Sequence, residues 1–364
     1  MIQRTPARIE ARLANNDNRT WQQLLSDSVT TPEALLAGLG LDPARWLGGA
    51  TAGHRLFPVR VPGPWLARIR HGDPDDPLLR QVLPLHQEQE QVPGYVRDPL
   101  DELAATPATG LIRKYRSRAL LMITGQCAIN CRYCFRRHFP YGEHRLAPEE
   151  RERALAVLRA APEINEVIFS GGDPLAVSDR LLARWMAELS GITSLQRVRI
   201  HSRLPVVIPQ RVCDSLLAWI RQSRLQVVMV LHVNHPAEID DEVRTALARL
   251  RAAGVTLLNQ SVLLQGVNDD AALLATLSET LFAAGVLPYY LHAFDPVAGA
   301  HHFDVSDPRA RALARELQAR LPGFLVPRLV REIPGRDGKT PLDLGLEDDG
   351  TSAEEARMSN LVNL

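Results

Sequence analysis

At 364 residues the chain has room for one large domain, or for a large domain with an appendage. Apolar residues make up 45% and charged residues 23%, and 42 basic side chains are balanced by 42 acidic ones, so bulk charge does not point to a nucleic-acid partner. No apolar run reaches the roughly 18 residues of a membrane-spanning helix, and Met1-Ile2-Gln3-Arg4-Thr5 lacks the apolar core of a secretory leader; no membrane association is expected, and the chain reads as cytoplasmic.

Residues 1–105 read as an N-terminal appendage, mainly helical or irregular. Thr31-Pro32-Glu33 marks a helix start, a capping Thr before a Pro at the first helical position, ahead of Leu35, Leu36 and Leu39. Gly72-Asp73-Pro74 and Gln91-Val92-Pro93-Gly94 mark turns. From about residue 106 to 322 the texture is that of an α/β core. Short apolar runs at Ala119–Thr124, Glu166–Ser170, Arg197–His201, Gln226–Val233, Thr256–Leu264 and Tyr289–Phe294 alternate with amphipathic stretches. Those stretches are Pro148–Arg159, Asp179–Leu189, Arg211–Gln222, Ile239–Ala253 and Ala271–Ala284. Buried parallel strands read as near-continuous apolar runs joined by helices, so the pattern predicts a partial (β/α)6 barrel. Its chemistry is expected at the C-terminal ends of the strands. Residues 323–364 form a C-terminal segment with a partly acidic tail.

Cys127, Cys131 and Cys134 form a Cys-x3-Cys-x2-Cys motif directly after the first run. Thiolates are the usual protein ligands of iron–sulfur clusters, and three of them on a four-iron cluster leave one iron open. A zinc knuckle completed by His138 is the competing reading, because structural zinc prefers four ligands. Cys213, on a predicted helix, reads as a small buried apolar residue. Only two of the 42 basic residues are lysines, Lys114 and Lys339. Arginine stays protonated and cannot form a Schiff base, so any imine chemistry falls to one of these two.

The motifs around these residues carry a resemblance. They are Leu120 through Cys127, Cys134-Phe135-Arg136-Arg137-His138, Phe169-Ser170-Gly171-Gly172-Asp173-Pro174, Arg199-Ile200-His201-Ser202-Arg203, His232-Val233-Asn234-His235, Asn259-Gln260-Ser261, Pro288 through His292, and Gly338-Lys339-Thr340-Pro341. Together they are similar to the lysine 2,3-aminomutase family of radical S-adenosylmethionine (SAM) enzymes. The resemblance covers nearly the whole chain and is strongest to the branch that supplies (R)-β-lysine for modifying elongation factor P. The absence of cysteine from the tail agrees with that branch, since the catabolic enzymes carry a zinc-binding extension.

The resemblance implies a [4Fe-4S] cluster on Cys127, Cys131 and Cys134, with SAM on the open iron, and pyridoxal 5′-phosphate (PLP) as an imine on Lys339. A SAM-derived 5′-deoxyadenosyl radical would drive migration of the amino group of L-lysine. Ser170, Gly171, Gly172, Asp173, His232 and Gln260 fall on the SAM side, Asp173 as an acceptor for it. Tyr115 would stack on the PLP ring, with Arg118 and Lys114 toward its phosphate. Arg136 would hold the substrate α-carboxylate, and Asp295 and Glu332 its distal ammonium. A flavodoxin or ferredoxin would supply electrons, a ligase would attach the β-lysine to elongation factor P, and the enzyme would be a homodimer. Alternatives are a 2,3-aminomutase for arginine or glutamate, a radical SAM enzyme acting on RNA or a peptide, and a non-catalytic iron–sulfur or zinc module.

Overall fold

A computed structural model of the chain describes residues 19–102, 110–140, 148–336 and 338–345. Within them the apolar runs line up as one sheet whose spatial order follows chain order. Its strands are β1 (Leu111–Ile112), β2 (Arg118–Thr124), β3 (Glu166–Gly171), β4 (Arg197–His201), β5 (Gln226–Leu231), β6 (Thr256–Val262), β7 (Leu287–His292), β8 (Arg328–Arg331) and β9 (Thr340–Pro341). Strands β2 to β8 are parallel, each bonded to the next. β1 and β9 are antiparallel additions at the two edges, so the curved sheet is a partial barrel. All six expected strands are present. A seventh parallel strand joins them from the C-terminal segment, where β8 pairs with β7 through Tyr290↔Arg328 to His292↔Val330. Residues 323–345 therefore continue the sheet.

Helices α6 (Pro148–Arg159), α7 (Asp179–Ser190), α8 (Leu204–Val207), α9 (Asp214–Gln222), α10 (Asp241–Ala252), α11 (Ala271–Ala283) and α12 (Asp307–Arg320) cross over between successive parallel strands. Each long one buries a single stripe: α7 buries Leu182, Trp185, Met186 and Leu189, and α10 buries Val243, Ala246, Leu247 and Leu250, at i, i+3, i+4, i+7 spacing. α9 begins at Asp214 rather than Arg211, because Pro209–Arg211 forms a separate 3-10 turn. Cys213, expected inside that helix, sits at its N-cap instead. There it is half-buried, with its sulfur 3.1 Å from Ser215 Oγ and 3.6 Å from Asp179 Oδ2.

The N-terminal region supplies α1 (Trp21–Ser26), α2 (Pro32–Leu39), α3 (Pro43–Leu56), α4 (Gly63–Leu66) and α5 (Pro77–Arg80). Thr31 caps α2 as its sequence predicts, its hydroxyl accepting from the Ala34 amide at 3.3 Å. Buried Leu35, Leu36, Trp65, Leu78 and Leu79 belong to the same apolar cluster as Val206, Val207 and Ile208 of the barrel. The two regions thus share one core. The acidic tail beyond residue 345 lies outside the described residues.

Candidate active site

The cysteine loop leaves the C-terminal end of β2 and is held from outside by the N-terminal region. Asn130 N donates to Arg60 O at 3.1 Å, its Nδ2 to Pro58 O at 2.9 Å, and Arg132 N to Gln81 O at 2.9 Å. Buried Glu88 accepts from both Arg132 and Arg137 of the loop, the latter at 2.6 Å. Burial, and then the neighbouring Cys134 sulfur, pushes the Cys127 thiol well above its ordinary range. Burial and the Cys131 sulfur push Cys134 up to about 11. A cationic centre would reverse the penalty on Cys127 and Cys134. No three His, Cys, Asp or Glu side chains among the described residues are grouped tightly enough for a single ion. His138, the fourth ligand in the zinc reading, has its Nε2 at 3.0 Å from Ala298 O.

The two-glycine turn after β3 lies flush against this loop. Gly172 N donates to Thr124 O and Asp173 N to Gln126 O, both at 2.7 Å. A Cβ on Gly171, whose φ is +119°, would sit 2.3 Å from Thr124 O, and one on Gly172 would sit 2.4 Å from Gln126 O. Only glycine permits that approach. The expected role of Asp173 is corrected. Its Oδ1 accepts from Leu175 N at 3.0 Å and Ser202 Oγ at 2.7 Å, and its Oδ2 from Arg203 N and Leu204 N, each at 2.9 Å. With both oxygens engaged by the protein, this carboxylate ties the turn to the segment after β4 rather than standing open to a ligand.

A chain of charges runs from that turn across the barrel mouth. Arg136 Nη1 donates to Ser170 Oγ at 2.9 Å and Gly171 O at 3.3 Å, while Nε and Nη2 grip Glu102 at 2.6 and 2.8 Å. Glu102 also faces Lys114 Nζ at 3.1 Å. Lys114 continues to Glu332 Oε1 at 3.2 Å, where the Tyr115 hydroxyl also donates at 3.2 Å. Glu332 Oε2 accepts from Lys339 Nζ at 2.8 Å. Lys339 and Lys114 hold the Glu332 carboxyl well below the usual carboxylate range against the opposing effect of burial. The β8–β9 hairpin explains why Glu332 and Lys339 meet: Arg331 pairs with Thr340, so they are the next residues on opposite arms. Lys114, expected at a phosphate, lies between two carboxylates. Arg118 stacks its guanidinium 3.8 Å from the centre of the Tyr115 ring.

Inside the mouth stand His201 on β4, His232 just after β5 and His292 on β7. Burial, and then Lys339 or a nearby guanidinium, depresses all three, with His232 near 3. They are neutral imidazoles around one ammonium. His201 Nε2, His232 Nδ1 and His292 Nε2 are buried without a protein partner. Each such atom costs about 1–3 kcal/mol unless a ligand or water satisfies it. Asp295, after β7, is pushed up to about 7 by burial, which outweighs Lys339. Gln260 is half-buried on β6 opposite Tyr290. Neutral polar atoms, one amine and flanking anions around a buried mouth can bind an amphoteric small molecule and a group needing an imine.

Glu102, His201, His292 and Arg203 are site residues that sequence reasoning did not assign. The latter three lie in the quoted motifs, but Glu102 sits in a turn-rich stretch and meets Arg136 only through the fold. Arg203 is buried and donates from Nη1 to Cys131 Sγ at 2.8 Å.

The radical SAM superfamily pattern matches residues 121–276. L-lysine 2,3-aminomutase of Escherichia coli (strain K12) is 50% identical over 90% of this chain and 95% of its own. That of Haemophilus influenzae is 48% identical over 89% and 96%, and that of Clostridium subterminale 35% over 91% and 79%. Among solved structures, a radical SAM methyltransferase from Sphaerobacter thermophilus shares 18% identity at a TM-score of 0.45, over 61% of this chain and 68% of that one. With identity of this level along almost its entire length, the chain belongs to the lysine 2,3-aminomutase family of radical SAM enzymes.

Proposed function

We propose that this protein is an L-lysine 2,3-aminomutase that converts L-α-lysine to (R)-β-lysine for the modification of elongation factor P. Enzymes of this family use a [4Fe-4S] cluster, SAM and PLP. When bound, the cluster supplies one electron to cleave SAM into a hydrogen-abstracting fragment, and PLP carries the migrating nitrogen. Cys127, Cys131 and Cys134 would hold the cluster, and the flush turn Ser170-Gly171-Gly172, with His232 and Gln260, would line the SAM side of the mouth. Lys339 offers the amine for PLP, and Tyr115, Arg118 and Lys114 line its approach.

The observation that carries the reading is the continuous charge chain from Ser170 through Arg136, Glu102, Lys114 and Glu332 to Lys339. It joins the two-glycine turn and both lysines of the sequence at one opening, with Lys339 at its end. Arg136 is the cation there for an α-carboxylate, and Asp295 and Glu332 are anions for the ammonium at the far end of lysine. This anionic end argues against glutamate as substrate.

A low-potential flavodoxin or ferredoxin supplies the electron, and the downstream partner is the ligase that transfers β-lysine to elongation factor P. The test is anaerobic reconstitution with iron, sulfide, PLP and SAM, reduction, incubation with L-lysine, and chromatographic separation of β-lysine enantiomers. (R)-β-lysine is the expected product. A fully loaded enzyme that turns over arginine and leaves lysine untouched would overturn the substrate assignment.

A further inference from the structure

We propose that Arg203 sets the reduction potential of the cluster, as a positioning residue that donates an N–H···S hydrogen bond from its guanidinium to Cys131. This inference rests on the assignment of Cys131 as a cluster ligand.

The contact is built rather than incidental. Arg203 is 6% exposed and its guanidinium is held at both terminal nitrogens, while Nε is buried without a partner. Nη1 reaches Cys131 Sγ at 2.8 Å, while Nη2 donates to Gln81 Oε1 at 2.6 Å and Glu238 Oε2 at 3.0 Å. Its guanidinium carbon stands 4.5 Å from the Trp65 ring centre and 5.7 Å from that of Tyr133. The backbone is fixed as well, since Arg203 N donates to Asp173 Oδ2. Glu238 is itself held by Gln81 Nε2, Asn234 N and His235 N at 3.0, 3.0 and 3.2 Å. The guanidinium therefore cannot swing away from the sulfur without breaking contacts with Gln81 in the N-terminal region and Glu238 in the β5 loop.

Reduction adds one negative charge to the cluster, delivered by the external low-potential donor. A cation hydrogen-bonded to a ligating sulfur stabilises that added charge more than the oxidised state, which raises the potential. Low dielectric around a buried contact strengthens the effect, and Glu238 on the other side of the guanidinium tempers it. Arg203 and Glu238 thus act in opposite directions on the same couple. Arg203 makes the cluster easier to reduce and Glu238 keeps that advantage small enough for SAM to be cleaved.

The experiment is an EPR-monitored redox titration of full-length, anaerobically reconstituted protein without lysine, alongside iron and sulfide counts. Arg203→Gln is expected to load the cluster and to shift the one-electron reduction equilibrium about tenfold toward the oxidised form, 59 mV more negative. Arg203→Lys, which keeps the charge, should recover most of that shift, and Glu238→Gln should move the midpoint the other way. A loaded Arg203→Gln protein with the wild-type midpoint overturns the inference. If Arg203→Gln fails to load, an unchanged midpoint in Glu238→Gln overturns it equally. A wild-type protein that takes up no four-iron cluster sinks the cysteine assignment itself, an outcome visible before any variant is made.

Discussion

Replacing Glu332 by Gln removes the one carboxylate that accepts from both Lys339, at 2.8 Å, and Lys114, at 3.2 Å. Removing one partner of a fully buried ion pair costs about 3–5 kcal/mol. The Glu332 and Lys339 side chains are each 17% exposed and Lys114 12%, so solvent recovers part of that, leaving about 2 kcal/mol. Unfolding entropy of roughly 2.1 cal/mol/K per residue gives a 364-residue chain about 0.8 kcal/mol/K, so the midpoint should fall by about 3 °C at pH 7. The folded carboxyl is depressed below its unfolded value. Its contribution is therefore complete above the unfolded value near 4.5 and vanishes only as pH falls through the lower folded one. Calorimetry of the apoprotein should show the wild-type advantage intact at pH 7 and 5, narrowing only in stronger acid. Equal or higher stability of Glu332→Gln at pH 7 would refute the view of Glu332 as counterion to both lysines.

Asp295→Asn should behave oppositely. Burial lifts the folded Asp295 to about 7 against an ordinary 3.8, so the wild type loses stability as pH rises between those values. The Asn variant should then be the more stable protein at pH 8 by about 2 kcal/mol and indistinguishable at pH 3, as measured by denaturant titration. Lys339→Ala should abolish borohydride-trapped PLP, read by peptide mass, whereas Lys114→Ala should leave the label on Lys339. Gly171→Ala should lower iron uptake during reconstitution, because its Cβ would collide with Thr124 O and its φ of +119° disfavours a side chain. Glu88→Gln should cost about 3–5 kcal/mol by thermal melting, since two guanidinium groups share that buried carboxylate.

The six first parallel strands were legible because both faces of each are covered and the runs stay apolar. β8 was not: it has four residues bracketed by Arg328 and Arg331, and only its pairing with β7 makes it a strand. Lys339 stood out because lysine is scarce here, and the Gly171-Gly172 turn because it follows a strand. The partners of these residues were hidden. Glu102 meets Arg136 across 34 positions and Lys114 across 12, and Arg203 meets Cys131 across 72; no local pattern encodes such pairs. Asp173 looked like an open acceptor because sequence shows a carboxylate in a glycine turn but not the four donors that close on it. The N-terminal region read as an accessory, whereas Gln81 and Glu88 brace the cysteine loop.

The Arg331↔Thr340 register works as a ruler for the amine. Side chains alternate faces along a strand and a one-residue slip turns a strand over, so the two-residue arm β9 has little pairing to resist a shift that would carry its end of the hairpin away from Glu332. The position of the amine is therefore only as secure as two paired positions, a constraint that substitutions at the amine itself would never reveal.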